Sequence, residues 1–224
     1  MSTKGKKFWT EFEVNDQRFW IQNVEKCHVD IVVHAMVNDY VREEPIGLYS
    51  KSYEDHGYKL ESEVAYQNIV ENGCSLVCLT VNEDGQPTVA AMHCLEIVNY
   101  EEVKDEYMFG HSYLWHLLQF NNICAKMNVK KYIIDKGMYV FPEFRRNGIS
   151  VQLLKCWPLL CKRLKIQICM GTFTSEFSQL AARRAGLVEL KWLSYEEMRK
   201  VFPEQIPLGI EEHSKGVALY YACA

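Results

Sequence analysis

The sequence VFPEFRRNGIS, residues 140–150, follows a run of β-branched and aromatic residues and precedes an apolar run with helical spacing. Backbone amides that converge at the start of a helix bind phosphate, and small residues there let phosphate oxygens approach the chain closely. Gly148 and Ser150 are the small residues of this stretch, and Arg145 and Arg146 add positive charge. The stretch therefore predicts an anion-binding turn between a strand and a helix.

The elements around this turn predict a partly parallel sheet. From residue 131 onward the sequence alternates between strand and helix patterns, which indicates βαβ units. The predicted strands are 132–141, 166–170 and 188–193, and the predicted helices are 148–164 and 175–185. Neither of the common glycine-rich nucleotide loops, GxGxxG or GxxxxGK[ST], occurs in the sequence, so the folds that depend on them are excluded.

The N-terminal half predicts a strand, a helix and a hairpin. A short first strand is predicted over 18–22 and a helix over 24–41, which must stop near Pro45. The runs 75–82 and 87–97 are β-rich and flank an Asp-Gly turn signal, so we expect them to pair antiparallel. A helix over 112–127 and a last strand over 217–222 are also predicted.

Composition and charge place the chain among globular proteins and exclude several other classes. The chain has 224 residues, 48% of them hydrophobic, and its net charge of -4 with pI ≈ 6.0 argues against a nucleic-acid-binding surface. No run approaches the ~20 apolar residues of a membrane helix, and the N-terminus lacks the apolar core of a secretory signal. We therefore expect a cytoplasmic monomer with a flexible tail over 1–17 and one domain over 18–224.

The nine cysteines are expected to be reduced core residues, because their number is odd and most lie in apolar runs. No CxxC pair occurs in the sequence. Neither His28 with His34 nor His111 with His116 has the i, i+3 or i, i+4 spacing that places two ligands on one helix face. The sequence therefore predicts no metal site.

Residues 145–150 follow the pattern R-x-x-G-x-S, which resembles the R/Q-x-x-G-x-G/A signature of the GNAT superfamily of N-acetyltransferases. The resemblance implies an α/β GNAT acyltransferase fold, with a mixed central sheet whose fourth and fifth strands splay and are flanked by helices. In that family the turn after the fourth strand binds the pyrophosphate of acetyl-CoA, which is therefore the implied cosubstrate. The implied acetyl-CoA contacts are Met138, Tyr139, Val140, Arg145, Arg146, Asn147, Gly148, Ile149 and Ser150.

The run Glu43-Glu44-Pro45-Ile46, with hydroxyl residues on the late helix, resembles the insect arylalkylamine N-acetyltransferases, a group that includes dopamine- and agmatine-acetylating enzymes. In that family the glutamate before the proline is the general base, which implies this role for Glu44. Two hydroxyl positions of the family fall on Ser178 and Thr174. Ser175 falls where the wider superfamily often contacts the pantetheine arm of acetyl-CoA.

The late helix leaves the general acid open. Ala182 stands where many GNAT enzymes carry a tyrosine that protonates the leaving thiolate. The hydroxyl of Ser178 is the candidate in its place, with Tyr220 or Tyr221 on the last strand as alternatives. Ser178 and Thr174 are equally consistent with capping the start of the helix, because hydroxyl residues often fill that role.

The resemblance implies transfer of the acetyl group of acetyl-CoA to the primary amine of a small arylalkylamine, or of a related biogenic amine or polyamine. Such an amine has a pKa near ~10.4, so a base must remove a proton before the nitrogen attacks the thioester. A backbone amide of residues 138–140 is the expected donor to the oxygen that gains charge. The alternatives are a GNAT enzyme that acylates protein amines or uses longer acyl-CoA, and an acetyl-CoA-binding module without turnover.

Overall fold

An eight-stranded mixed sheet forms the centre of the structure, a computed structural model that describes residues 8–71, 74–100 and 124–224. Its strands are β1 (Phe8–Val14), β2 (Gln17–Asn23), β3 (Leu76–Val81), β4 (Pro87–Asn99), β5 (Lys131–Val140), β6 (Ile168–Phe173), β7 (Val188–Ser194) and β8 (Gly216–Cys223). Their order is β1-β2-β3-β4-β5-β6-β8-β7, and each neighbouring pair is antiparallel except β5 with β6. The predicted mixed α/β sheet and the predicted β3–β4 hairpin are confirmed.

Helices pack on both faces of the sheet. Those that lie wholly within the described residues are α1 (Val29–Asn38), α2 (Pro45–Ser50), α3 (His56–Glu71), α4 (Ile149–Lys155), α5 (Trp157–Leu164), α6 (Glu176–Ala185) and α7 (Tyr195–Val201). The helix predicted over 148–164 is divided at Cys156, because Pro158 has no amide hydrogen to continue the ladder of the preceding turn. The helix predicted over 112–127 lies outside the described residues except at its end.

β5 and β6 separate after a short parallel contact. They pair over Ile133–Ile134 and Cys169–Met170, although both strands continue well beyond these residues. Counted from the strand predicted over 18–22, they are the fourth and fifth strands, so the predicted splay is confirmed. The separation leaves an opening in the sheet that the main chains of both strands border.

Residues 8–17, expected to belong to a flexible tail, instead form a hairpin with β2. β1 pairs antiparallel with β2, and Asn15 and Asp16 turn between them with φ angles of 51° and 60°. A tight hairpin needs positive φ at both turn residues, and Asn and Asp adopt it more readily than other non-glycine residues. Trp9 and Phe12 pack against the core, so burial of aromatic side chains holds this edge strand in place.

The cysteines lie mainly in the core, as expected. All nine are free thiols and seven of them are buried. Burial raises the pKa of the Cys74, Cys78 and Cys156 thiols to about 12, so these groups are protonated at neutral pH. They belong to the same apolar cluster as Trp157, on the sheet face that α4 and α5 cover.

Candidate active site

A cavity of about 1220 Å³ lies at the opening between β5 and β6. Helices α1, α2 and α3 border one side, and the 140–150 turn and the start of α6 border the other. All predicted site residues except Asn147 line it: Glu44, Met138, Tyr139, Val140, Arg145, Arg146, Gly148, Ile149, Ser150, Thr174, Ser175 and Ser178. The fold thus brings the predicted base, hydroxyl and cofactor residues around one space.

Glu44 is the N-cap of α2 and lies in the wall of this cavity. After α1 the chain makes a 3-10 turn over Tyr40–Arg42 and begins α2 at Pro45, so Glu44 starts a helix instead of following the end of the helix predicted over 24–41. Proline fits the first helical position, where its missing amide hydrogen leaves nothing unpaired. Glu44 Oε2 accepts a hydrogen bond from the Gly47 amide at 2.7 Å, which completes the cap.

The second carboxylate oxygen of Glu44 is buried and has no hydrogen-bond partner among the described residues. Glu44 is 9% exposed, and its Oε1 accepts no hydrogen bond within the described residues. Tyr40 borders the cavity nearby, and its pKa is raised well above the usual value, first by burial and then by the Glu44 carboxylate. A buried polar atom without a partner is costly, and such atoms occur where a side chain is kept for binding or proton transfer.

Three tyrosines on the Glu44 side of the cavity were not singled out from the sequence. Tyr40 lies in the 3-10 turn before Glu44, and Tyr58 and Tyr66 lie on α3. Ser62 also borders the cavity, and the i, i+4, i+8 spacing of Tyr58, Ser62 and Tyr66 places them on one helix face. This spacing is a readable signal for a polar, aromatic stripe, whereas nothing in the sequence shows that the stripe faces Glu44.

The 140–150 turn presents an open glycine to the cavity. Gly148 is the N-cap of α4 with a left-handed φ of 70°, and apart from its chain neighbours no atom lies within 4 Å of the position that a Cβ would take. A ligand can therefore approach the backbone closely at this point. Arg146 borders the same space, and no carboxylate in the described part of the chain pairs with its guanidinium.

Arg145 is tied to the loop that carries the predicted base. Its guanidinium lies 2.8 Å from Glu43 Oε2 and donates to Glu43 Oε1 at 2.9 Å, and its Nε donates to the Val140 carbonyl at 2.9 Å. Both side chains of the pair are close to half exposed, so the pair itself stabilises the fold by less than about 1 kcal/mol. Its consequence is geometric, because it joins the predicted cofactor turn to the residue before Glu44.

The overall architecture is shared with solved structures of acetyltransferases. No protein-family model and no curated protein matches the chain. A protein assigned as arylalkylamine N-acetyltransferase 7 of the yellow fever mosquito Aedes aegypti superposes with a TM-score of 0.84 at 21% sequence identity, covering 99% of this chain and 98% of that chain. The chain has the GNAT fold.

Two further GNAT structures are similar over most of the chain. Arylalkylamine N-acetyltransferase 2 from Aedes aegypti has a TM-score of 0.70 at 16% identity, covering 92% of this chain and 98% of its own. The polyamine N-acetyltransferase of Drosophila melanogaster, described as forming N-acetylagmatine, has a TM-score of 0.68 at 18% identity, covering 92% of this chain and 100% of its own. At these identities the likeness establishes the GNAT fold.

The late helix of this GNAT fold, α6, begins with a capping box of two serines. Ser175 is the N-cap: its Oγ accepts a hydrogen bond from the Ser178 amide at 3.1 Å, and Ser178 Oγ accepts the Ser175 amide at 3.3 Å and donates to the Ser175 carbonyl at 2.9 Å. Ser178 therefore completes the cap from the third helical position, and it borders the cavity at the same time. Thr174 precedes the box, and its carbonyl accepts the Tyr195 hydroxyl at 2.7 Å.

Neither tyrosine alternative for the general acid borders the cavity of the GNAT fold. Tyr220 is fully buried in the core, where its hydroxyl donates to Glu189 at 2.5 Å and accepts from Arg183 at 3.0 Å. Tyr221 packs in the apolar cluster on the opposite side of β8. Side chains alternate between the two faces along β8, so Tyr220 and Tyr221 pack on opposite faces, and no residue of β8 borders the cavity.

Asp135 also borders the site and lies beside the buried His93, and no sequence motif indicated either residue. Asp135 borders the cavity from β5, and its Oδ1 lies 3.3 Å from Nε2 of His93 on β4. The two residues are far apart in the sequence, so no local motif joins them. The register of β4 against β5 brings them together.

The described residues contain neither a candidate metal-binding cluster nor a candidate membrane-spanning helix. Within 8–71, 74–100 and 124–224, no group of three or more His, Cys, Asp or Glu side chains is arranged to hold a metal ion. In the same ranges no helix combines the length and the apolar character needed to cross a bilayer. His111 and His116, whose spacing was part of the basis for predicting no metal site, lie outside the described residues.

Proposed function

We propose that this chain transfers the acetyl group of acetyl-CoA to the primary amine of a small arylalkylamine, or of a related biogenic amine or polyamine, with Glu44 as the general base. The observation that carries the proposal is that Glu44 and the Gly148 turn border one cavity at the opening between β5 and β6. The names of the solved structures that share the fold add support. We expect the enzyme to act as a cytoplasmic monomer.

The residues around the cavity fit acetyl-CoA. The volume of about 1220 Å³ exceeds the ~300–1,000 Å³ typical of pockets for drug-sized ligands, so it has room for a large cosubstrate and an amine together. Gly148 leaves space for a diphosphate beside the backbone, and Arg146 offers a cation that no carboxylate of the described residues pairs with. Acetyl-CoA supplies the activated thioester when it is bound.

Glu44 is the residue that takes the proton from the ammonium group of the substrate. Its Oε2 is occupied by the Gly47 amide, whereas its Oε1 is free of partners in the described structure. The side chain is therefore held in one orientation by the first oxygen while the second remains available. Tyr40 and Tyr58 border the same side of the cavity, and aromatic rings there favour a cationic ligand before the proton is removed.

Backbone and hydroxyl groups complete the proposed site. An amide among residues 138–140 of β5 donates to the carbonyl oxygen as charge develops there, and an amide fixed in a strand needs little reorganisation to do so. Ser178 Oγ borders the cavity but donates to the Ser175 carbonyl, so it must rotate to protonate the thiolate. A thiol has a pKa near ~8.5, so the thiolate leaves readily and this acid assists without being essential.

A coenzyme A release assay with a panel of amines tests the proposal. Dopamine, tryptamine and serotonin represent aromatic amines, agmatine and spermidine represent cationic aliphatic amines, and a peptide with a free N-terminus and a lysine represents protein substrates. We expect turnover of at least one small amine with acetyl-CoA. Faster acylation of the peptide, or preference for a longer acyl-CoA, would instead indicate a GNAT enzyme that acylates protein amines or uses longer acyl-CoA. Acetyl-CoA binding without turnover of any amine would favour a binding module.

A further inference from the structure

A β-bulge interrupts β5 at the floor of the cavity. On β4, Leu95 pairs with Asp135 and His93 pairs with Met138. Lys136 and Gly137 of β5 therefore both lie opposite Cys94, the one β4 residue between these pairs. Both bulge residues border the cavity. The bulge stands where β5 has parted from β6, and the strand residues proposed to stabilise the reacting oxygen begin directly after it.

Close packing restricts what the bulge can hold. Gly137 adopts a φ of 123°, a backbone conformation that side chains disfavour. A Cβ at this position would lie 2.7 Å from Met36 Cε and 2.9 Å from Tyr40 Cζ. The bulge is therefore pressed against α1 and the turn that follows it, in a position that only glycine allows.

Side chains satisfy two of the backbone groups that the bulge removes from the regular ladder. Asp135 Oδ1 accepts a hydrogen bond from the Gly137 amide at 2.7 Å. Tyr66 on α3 donates its hydroxyl to the Lys136 carbonyl at 3.0 Å. The bulge is thus held by one side chain of β5 itself and by one of α3. The orientation of its peptide groups therefore depends on these two side chains rather than on strand pairing.

His93 supports the aspartate of this arrangement. The side chains of His93 and Asp135 are 0% and 8% exposed and lie 3.3 Å apart, a distance that permits an ion pair when the imidazole is protonated. Neither ring nitrogen of His93 has a hydrogen-bond partner among the described residues, so the imidazole supports Asp135 by proximity and packing. The His93 ring stacks on Trp157 with centroids 5.8 Å apart, and Gly171 of β6 leaves room for the Asp135 side chain. Both residues of the pair are therefore fixed by packing.

We propose that Asp135, supported by His93, and Tyr66 are positioning residues that hold the β5 bulge so that the amides following it, beginning with Met138, point at the thioester carbonyl. The proposal rests on the proposed function of this cavity. Stabilisation of a developing oxyanion requires donors within a narrow distance range. A displacement of about 1 Å at a reacting centre costs on the order of 100-fold in rate, so loosening the bulge lowers turnover even though Asp135 and Tyr66 act through the main chain of the bulge.

Amide hydrogen exchange of the peptide spanning 131–141 tests the positioning directly and needs no substrate. Asp135→Ala removes the acceptor of the Gly137 amide, so exchange in this peptide accelerates. Asp135→Asn retains a side-chain oxygen that can accept the same amide, so exchange stays near that of the parent. Asn82→Ala is the control, because Asn82 accepts the Gln86 amide at 2.8 Å in a turn outside the cavity. Equal exchange in Asp135→Ala and the parent overturns the proposal.

Steady-state kinetics test the consequence for catalysis. We expect kcat to fall more than about tenfold in Asp135→Ala and in Tyr66→Phe, while the acetyl-CoA dissociation constant changes less than about twofold, because the bulge acts on the transition state. Asp135→Asn should restore most of kcat. If Asp135→Ala does not fold, Tyr66→Phe decides, since it removes one hydroxyl only. A kcat within about twofold of the parent in the folded variants, or a loss confined to cofactor affinity, overturns the proposal.

These two measurements separate the positioning role from the proposed function. If the parent chain turns over no amine, the proposed acetyl transfer is refuted, and the exchange comparison still decides whether Asp135 holds the bulge. If the parent is active and exchange is unchanged in Asp135→Ala, the acetyl transfer stands and the positioning role is refuted. Faster exchange together with lower kcat supports both.

Discussion

Replacing Glu44 by glutamine removes the proposed base while leaving the start of α2 intact. Glutamine has nearly the same shape, and its side-chain oxygen can accept the Gly47 amide that Glu44 Oε2 accepts at 2.7 Å. Its amide nitrogen then stands where the buried, unpartnered Oε1 stood, and it cannot take a proton. We therefore expect Glu44→Gln to fold and to bind acetyl-CoA like the parent.

The expected loss of turnover follows from the protonation state of the amine and from the other groups in the cavity. An amine with a pKa near ~10.4 is deprotonated to roughly one part in a thousand near neutral pH, which limits the benefit of a base to about 1000-fold. Glu43 also borders the cavity and can accept part of the proton transfer. We therefore expect a decrease in kcat/KM of about 100-fold, within the usual range for general base catalysis.

The pH dependence of Glu44→Gln distinguishes loss of a base from loss of structure. The fraction of free amine rises about tenfold per pH unit below the pKa of the amine, so the variant should recover activity as the pH increases. Coenzyme A release at saturating acetyl-CoA measures this dependence. Turnover of Glu44→Gln within about threefold of the parent near neutral pH would refute the role of Glu44 as base.

Glu44→Ala separates the capping role of the same residue. It removes both the base and the N-cap, and a lost cap costs about 1 kcal/mol, so Tm should fall by a few degrees. Ser194→Ala is a matched control, because Ser194 caps α7 by accepting the Glu197 amide at 3.1 Å and does not border the cavity. It should show a similar decrease in Tm with unchanged turnover. Loss of turnover in both variants would mean that stability, and not the base, limits activity.

Three further outcomes follow from the cavity and the core. Gly148→Val should raise the acetyl-CoA dissociation constant at least about tenfold by filling the space beside the turn. Gly85→Val has a similar φ and open surroundings in the β3–β4 turn, so it should lose similar stability and retain acetyl-CoA affinity. Equal acetyl-CoA affinities of the two variants would contradict this. Arg146→Ala should weaken acetyl-CoA binding less at high salt than at low salt, and calorimetry at two ionic strengths checks it. A chromogenic disulfide reagent should react quickly only with Cys27 and Cys223, the exposed thiols, and fast reaction of more groups would contradict the buried core.

The C-terminal half could be predicted because its signals are local. The 140–150 stretch combines a strand end, a glycine and the start of a helix within a few residues, and this local pattern matches the observed turn.

In the N-terminal half, Pro45 predicts a break beside Glu44. A proline excludes the preceding residue from a helix, but it also favours the first position of a new one, so the pattern did not show that Glu44 caps α2.

The parts that were missed depend on contacts between distant segments. The end of β1 alternates Glu11 and Glu13 with Phe12 and Val14 before an Asn-Asp turn, which is a readable hairpin signal, although the core that Phe12 packs against comes from elsewhere in the chain. The approach of Asp135 to His93 follows from the β4–β5 register, and the bulge shifts that register by one residue. The pairing of Arg145 with Glu43 likewise joins two loops that no sequence motif connects.

Titration calorimetry with acetyl-CoA tests most directly whether the opening between β5 and β6 is a cofactor site. We expect saturable binding with one site per chain, weakened by Gly148→Val and unchanged by Gly85→Val. Absence of binding heat at millimolar acetyl-CoA, with the chain folded, would contradict the assignment of this cavity to acetyl transfer.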